Sequence, residues 1–201
     1  STQACKEEKH DAMLDVLQWP VAAVVSAVPA TGRIVQNGEC IVRGVPLHLS
    51  ESGADELSPH TTSSVQEIVC AQSRRAGCLI DHRTVSESAD RLASELETLA
   101  AGGTELFFFD SASNDDISRI ISPLASLESP VLLVGAAGLA EALARAEGDG
   151  AERLAGAGGD GARFAGADGD GAELLARFAA GRALIVAGSR MQTTAQQVAR
   201  I

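Results

Sequence analysis

Residues 24–50 read VVSAVPATGRIVQNGECIVRGVPLHLS. The stretch opens on the end of an all-apolar run (VAAVVSA, from Val21), turns through Pro-Ala-Thr-Gly-Arg, and continues into a hairpin closed by Asn37-Gly38. β-Branched residues with no polar alternation indicate a strand covered on both faces. Asn-Gly between apolar residues predicts a two-residue hairpin turn, because both positions need φ > 0. The Gly32-Arg33 pair places a guanidinium on a loop that follows a buried strand, where planar recognition of carboxylate or phosphate is available.

Outward from this segment, strand-like and helix-like stretches alternate. Residues 7–17 carry apolar Ala12, Met13, Leu14, Val16 and Leu17, a helix that stops near Trp19-Pro20. Beyond the hairpin, Ser64 with Glu67 three residues later forms a capping-box pattern ahead of VQEIVCAQ, and Gly77 is read as the end of that helix. Residues 78–81 (CLID) form a short strand, and residues 85–101 an amphipathic helix stopped by Gly102-Gly103. The run ELFFFD ends on Asp110, Asn114-Asp115-Asp116 opens a helix reaching Leu127, and VLLVG (131–135) leads into AAGLAEALARA. Repeated βα units of this kind predict an α/β fold, a mostly parallel sheet with helices on both faces.

From Gly148 the composition changes. Gly-Asp-Gly-Ala occurs at 148, 159 and 169. Its spacing does not match calcium-binding repeats, and it reads as a low-complexity linker. A last unit follows, with a strand at 183–187, a Gly-Ser-Arg turn and a helix from about Thr193. Gly188-Ser189 at a strand's carboxyl end, feeding a helix N-terminus, is a physical anion site, though many such turns carry Gly and Ser for geometry alone. The organisation is therefore a partial α/β domain at 1–146, a linker with a short helix at 147–181, and the beginning of a second α/β domain at 182–201. The chain begins with Ser and ends inside an apparent helix, as a piece of a longer protein would. A sheet without its opening strands is expected to expose ladder edges.

The 201 residues carry a formal charge of −11, which disfavours nucleic acid and anionic membrane as partners. The basic residues are scattered, with Arg74-Arg75 the one doublet. No apolar run is long enough to span a bilayer. Cys5, Cys40, Cys70 and Cys78 show no metal-ligand spacing and read as reduced thiols, pointing to the cytoplasm. No residue is assigned as a metal ligand. Asp81 and Asp110 end buried strands, where acids either line a cleft or stand solvated. His48, His60 and His82 are isolated and read as structural.

Taken in order, VPATGRIVQNGECIVRGVPLHLSE, the TSSV run at 62–65, FFFDSASNDDI, LLVGAAGLAEALA and AGSRMQTTAQQVARI resemble motifs of the four-carbon acid-sugar kinase family. Between them they cover most of the chain outside the Gly-Asp repeat. The resemblance implies a two-domain enzyme that transfers the γ-phosphoryl group of ATP, with Mg²⁺, to a hydroxyl of threonate, erythronate or a 3-oxo form. It implies that Gly32 and Arg33 bind the acid sugar, with Arg33 gripping its carboxylate, and that Gly188 and Ser189 contact ATP phosphates. Two elements of the family pattern are absent, the Asp-Asp-x-Thr-Gly loop and the Gly-Gly-Asp-Thr loop. Ala136 and Met191 stand where the pattern has serines. The catalytic residues are therefore unassigned, and whether the chain is an enzyme stays open. The alternatives are an inactive fragment or remnant of such a kinase, with negligible turnover, or a non-enzymatic α/β interaction domain.

Overall fold

A computed structural model describes residues 9–53, 59–148 and 183–187. Its centre is a five-stranded, fully parallel sheet formed by β1 (Val21–Val25), β5 (Gly77–Ile80), β6 (Leu106–Phe109), β7 (Val131–Gly135) and β8 (Ala183–Ala187). The spatial order is β5-β6-β1-β7-β8. β1 is central, with Ala22 opposite Leu106 on one side and Leu132 on the other. Each of its five residues is buried, as the unbroken apolar run predicts.

Between β1 and β5 the chain makes a separate antiparallel sheet of β2 (Arg33–Gln36), β3 (Glu39–Val42) and the two-residue β4 (Val45–Pro46). Asn37 and Gly38 close β2 onto β3 with φ of 52° and 76°, the left-handed pair the sequence requires. This hairpin joins the carboxyl edge of the parallel sheet. Val35 exchanges backbone hydrogen bonds with Ser111, just beyond β6, and Val28 does so with Arg33.

The helices are α1 (Lys9–Leu17), α2 (Val65–Cys70), α3 (His82–Val85), α4 (Ala89–Ala101), α5 (Asn114–Ser126) and α6 (Ala137–Gly148). The core is continuous: Phe107, Phe108 and Phe109 on β6 are at most 1% exposed, and Leu92, Leu96, Ile117, Ile120 and Leu139 pack in from α4, α5 and α6. A single buried aromatic of this kind contributes about 3–5 kcal/mol against its alanine replacement.

Three local expectations change. α2 ends at Cys70 and Gly77 opens β5 instead of closing the helix, since a Cβ there would lie 2.5 Å from the Phe108 ring. The helix expected over 85–101 is two helices. Asp81 caps α3 by accepting from the Thr84 N–H, and α4 starts after Ser88, whose side chain makes no capping bond. Ser64 accepts from the Glu67 N–H, but the Glu67 carboxylate takes a hydrogen bond from Thr62 instead of closing the box. The closed capping box belongs to α5, between Ser113 and Asp116.

The linker expected over 147–181 falls almost wholly outside the described residues, as do Cys5, Gly188, Ser189 and Met191. β8 pairs with β7 as the fifth strand of the same sheet, Val131 opposite Ala183.

Candidate functional site at the carboxyl edge of the sheet

In an open parallel sheet, ligands collect outside the carboxyl ends of the strands, where neighbouring connections diverge. Here that edge lies over β6, β1 and β7, and the hairpin leans across it.

Arg33 is the first residue of β2, half-buried, and follows a 3₁₀ turn over Pro29–Thr31. The turn is closed by the Gly32 N–H donating to the Pro29 carbonyl at 2.9 Å, with Gly32 at φ 78°. Arg33 shares its strand face with Val35, and opposite them stand Cys40 and Val42. Val35 and Cys40 are buried, so this is the face turned toward the parallel sheet. The electrostatics agree: burial pushes the Cys40 thiol above its ordinary value, and the Arg33 charge acts against that rise. Among the described residues no carboxylate pairs with Arg33.

Two serine hydroxyls belong to the same edge. Ser26 directly follows β1, and Ser111 follows Asp110 at the end of β6. Both Oγ atoms are buried and have no hydrogen-bond partner among the described residues. A buried hydroxyl without a partner costs about 1–3 kcal/mol, and an ordered water or a ligand group is what would satisfy it. Sequence reading passed over both. The available signal was a hydroxyl at the carboxyl end of each of two apolar runs.

Asp110 is neither a solvated acid nor an exposed cleft residue. It is 1% exposed, and its carboxylate accepts three backbone N–H groups: Gly38 at 2.8 Å, Asn37 at 3.0 Å and His82 at 3.2 Å. One side chain thus fixes the hairpin turn and the start of α3 to the end of β6. His82, read as isolated, also brings Nε2 to 3.5 Å from the Asp116 carboxylate. His48 places Nδ1 2.7 Å from the Ser63 hydroxyl.

The turn from β7 into α6 packs against the segment after β1. A Cβ on Gly135 would meet the Val25 carbonyl oxygen at 2.5 Å, and one on Gly138 would meet that of Ala27 at 2.4 Å. At the opposite, amino edge, Arg75 is ion-paired with Asp15 and Glu105, and Asp11 accepts from Ser73 and the Arg74 N–H. That ion-paired cluster ties α1 to the sheet.

Of the residues assigned from sequence, the structure therefore places Gly32 and Arg33 at the carboxyl edge. Gly188 and Ser189 lie outside the described residues. Among those described, no group of three His, Cys, Asp or Glu side chains is arranged to hold a metal ion.

Comparison with known proteins identifies the family. Residues 7–143 match the model of the sugar-binding N-terminal domain family. D-threonate kinase of Salmonella typhimurium is 35% identical over 126 residues, which is 63% of this chain and 29% of that protein. 3-Oxo-tetronate kinase of Methylobacterium radiotolerans is 32% identical over 182 residues, 89% of this chain and 38% of that protein. The chain thus spans about a third of the length of these curated relatives. A crystal structure of a Haemophilus influenzae protein superposes with a TM-score of 0.61 at 23% identity, over 67% of this chain and 32% of that one, which supports the fold. With the domain model matching residues 7–143, more than half of the chain, the chain belongs to the four-carbon acid-sugar kinase family, through its sugar-binding N-terminal domain.

Proposed function

We propose that this chain is the acid-sugar-binding part of an ATP-dependent kinase, and that Arg33 holds the carboxylate of a four-carbon sugar acid. The observation that carries the reading is the position of Arg33. Its guanidinium has no carboxylate partner among the described residues. Its strand is bracketed by the Val28–Arg33 and Val35–Ser111 bridges to the ends of β1 and β6. A planar fork of donors is the group suited to bidentate capture of a carboxylate. Ser26 and Ser111 supply hydroxyls that donate to, or accept from, the sugar hydroxyls further along the substrate. Gly32, at φ 78°, sets the turn that aims Arg33.

The relatives' names favour threonate and 3-oxo-tetronate as the acid; erythronate belongs to the same class. ATP with Mg²⁺ would supply the transferred phosphoryl group and neutralise its charge. Gly188 and Ser189 are proposed to meet its phosphates. What this part of the protein does is bind the acid and orient its hydroxyls, and holding a nucleophile in line is a large share of phosphoryl-transfer catalysis. The three described cysteines are free thiols, and no described helix is long and apolar enough to cross a membrane. A cytoplasmic location is proposed on the thiols.

Calorimetric titration of the 201-residue chain with D-threonate tests the proposal. Binding that falls about tenfold or more in Arg33→Gln is expected, from loss of a charge-assisted bidentate contact. Equal affinity in the variant and the parent would refute it.

A further inference from the structure

Asn37 and Gly38 meet a structural demand that is also a chemical liability. The hairpin turn needs positive φ at both positions, and the pair supplies 52° and 76°. Space favours glycine as well, since a Cβ on Gly38 would stand 3.0 Å from Leu79 Cδ2. Asparagine followed by glycine is prone to intramolecular imide formation, because no side chain shields the attacking peptide nitrogen. The reaction needs only water. The Gly38 nitrogen gives its proton to solvent base and attacks Asn37 Cγ, forming an N–C bond. The bond from Cγ to the side-chain nitrogen breaks, and ammonia leaves. Water then opens one of the two imide C–N bonds, leaving an aspartyl or an isoaspartyl residue at position 37. The isoaspartyl product carries an extra main-chain carbon into a two-residue turn, and both products add a negative charge to it.

In the folded chain three features oppose the first step. The Gly38 N–H donates to Asp110 Oδ1 at 2.8 Å in a buried position, out of reach of solvent base. The charge of that carboxylate also opposes negative charge developing on the Gly38 nitrogen. Left-handed backbone, with ψ of about +47°, turns the following nitrogen to the side of the Cα–C bond away from Cβ, so the Asn37 Cγ cannot approach it. The turn is further held by the Asn37 N–H on Asp110 Oδ2 at 3.0 Å and by the Val65 N–H on the Gly38 carbonyl at 2.9 Å. Asn37 itself is exposed, so water and base reach the reacting atoms once the turn opens.

We propose that Asn37-Gly38 is a deamidation site kept closed by Asp110: release of the hairpin from the end of β6 lets position 37 convert, and a reversible local opening becomes a permanent change in the turn. The reading of Arg33 plays no part in this. Where opening and closing are fast relative to the chemistry, the rate of conversion scales with the open population.

The 201-residue chain is incubated at mildly alkaline pH, natively and in urea, and the tryptic peptide 34–43 is followed by mass spectrometry for conversion of amide to acid. The native parent is expected to convert at least about tenfold more slowly than the urea-unfolded chain. Native Asp110→Ala is expected to convert at least about tenfold faster than the native parent, and Asp110→Asn, which keeps one acceptor oxygen, by a smaller factor. Gly138→Ala, which strains the turn into α6 instead, is expected to change the rate less than about threefold. Circular dichroism establishes which variants are folded, and Asp110→Asn carries the comparison if the alanine variant is not. Equal rates in the native and unfolded parent would overturn the proposal. So would folded Asp110 variants that convert no faster than the parent, or an equal acceleration in Gly138→Ala.

Discussion

Asp110 gives the most demanding prediction, because one buried carboxylate satisfies three backbone donors from two distant segments. Replacing it with alanine leaves the N–H groups of Asn37, Gly38 and His82 without their acceptor. Gly38 is buried, so its donor loses a charge-assisted bond outright, a cost of about 2–3 kcal/mol. Asn37 and His82 belong to exposed residues, where water substitutes, and each is expected to cost about 0.5–1 kcal/mol. Asp110→Ala should therefore destabilise by about 3–5 kcal/mol. With a urea m-value of about 2 kcal/mol/M, the unfolding midpoint drops by about 1.5–2.5 M. Asp110→Asn keeps one acceptor oxygen but turns an NH₂ toward the donors, so an intermediate loss of about 2 kcal/mol is expected. Amide hydrogen exchange gives a local readout, in which protection at Gly38 should fall before protection within β1 or β7. Because the same hairpin carries Arg33, acid binding should weaken too. A midpoint shift below about 0.5 M for the alanine variant, or unchanged exchange at Gly38, would refute the reasoning.

Other outcomes follow from the packing and the caps. Gly138→Ala places a methyl 2.4 Å from the Ala27 carbonyl oxygen, and backbone cannot yield cheaply, so thermal melts should show a loss of about 1–3 kcal/mol. Gly44→Ala meets open space, and only its φ of 81° resists, so a loss nearer 1 kcal/mol is expected in the same assay. Asp81, whose carboxyl is held below its ordinary value first by the Thr84 N–H, lends α3 stability that is complete above the unfolded carboxylate pKa of about 3.9. That contribution is lost as pH falls through the lowered native value. The gap in stability between the parent and Asp81→Ala, about 1 kcal/mol near neutrality, should therefore close below about pH 4.

What the sequence made legible was whatever a single segment determines. Val21–Val25 and Leu106–Phe109 are apolar runs buried throughout, Val131–Gly135 is buried over its first three residues, and the strands fall where the runs do. Asn37-Gly38 needed positive φ twice and has it. What escaped was decided by partners far away in the chain. Asp110 lies 72 residues from the turn it fastens. Arg75 was legible only as half of a basic doublet, and its ion pairs with Asp15 and Glu105 form once α1 and the start of β6 come together. The extent of α2 was settled by the Phe108 ring, which demands the glycine that seemed to end the helix.

The central place of β1 has a consequence for how the chain is made. Both of its ladder partners are encoded downstream, β6 some 85 residues later and β7 about 110 residues later. At a synthesis rate of about 5–20 residues per second, β1 waits roughly 5 to 20 seconds for β7 after it is made. The hairpin beside it closes within microseconds, but the carboxylate that will anchor it has yet to be translated. For that interval Val21–Val25 is a bare apolar ribbon with two open edges, the segment of the nascent chain most in need of a holdase and most prone to pair with a neighbouring copy.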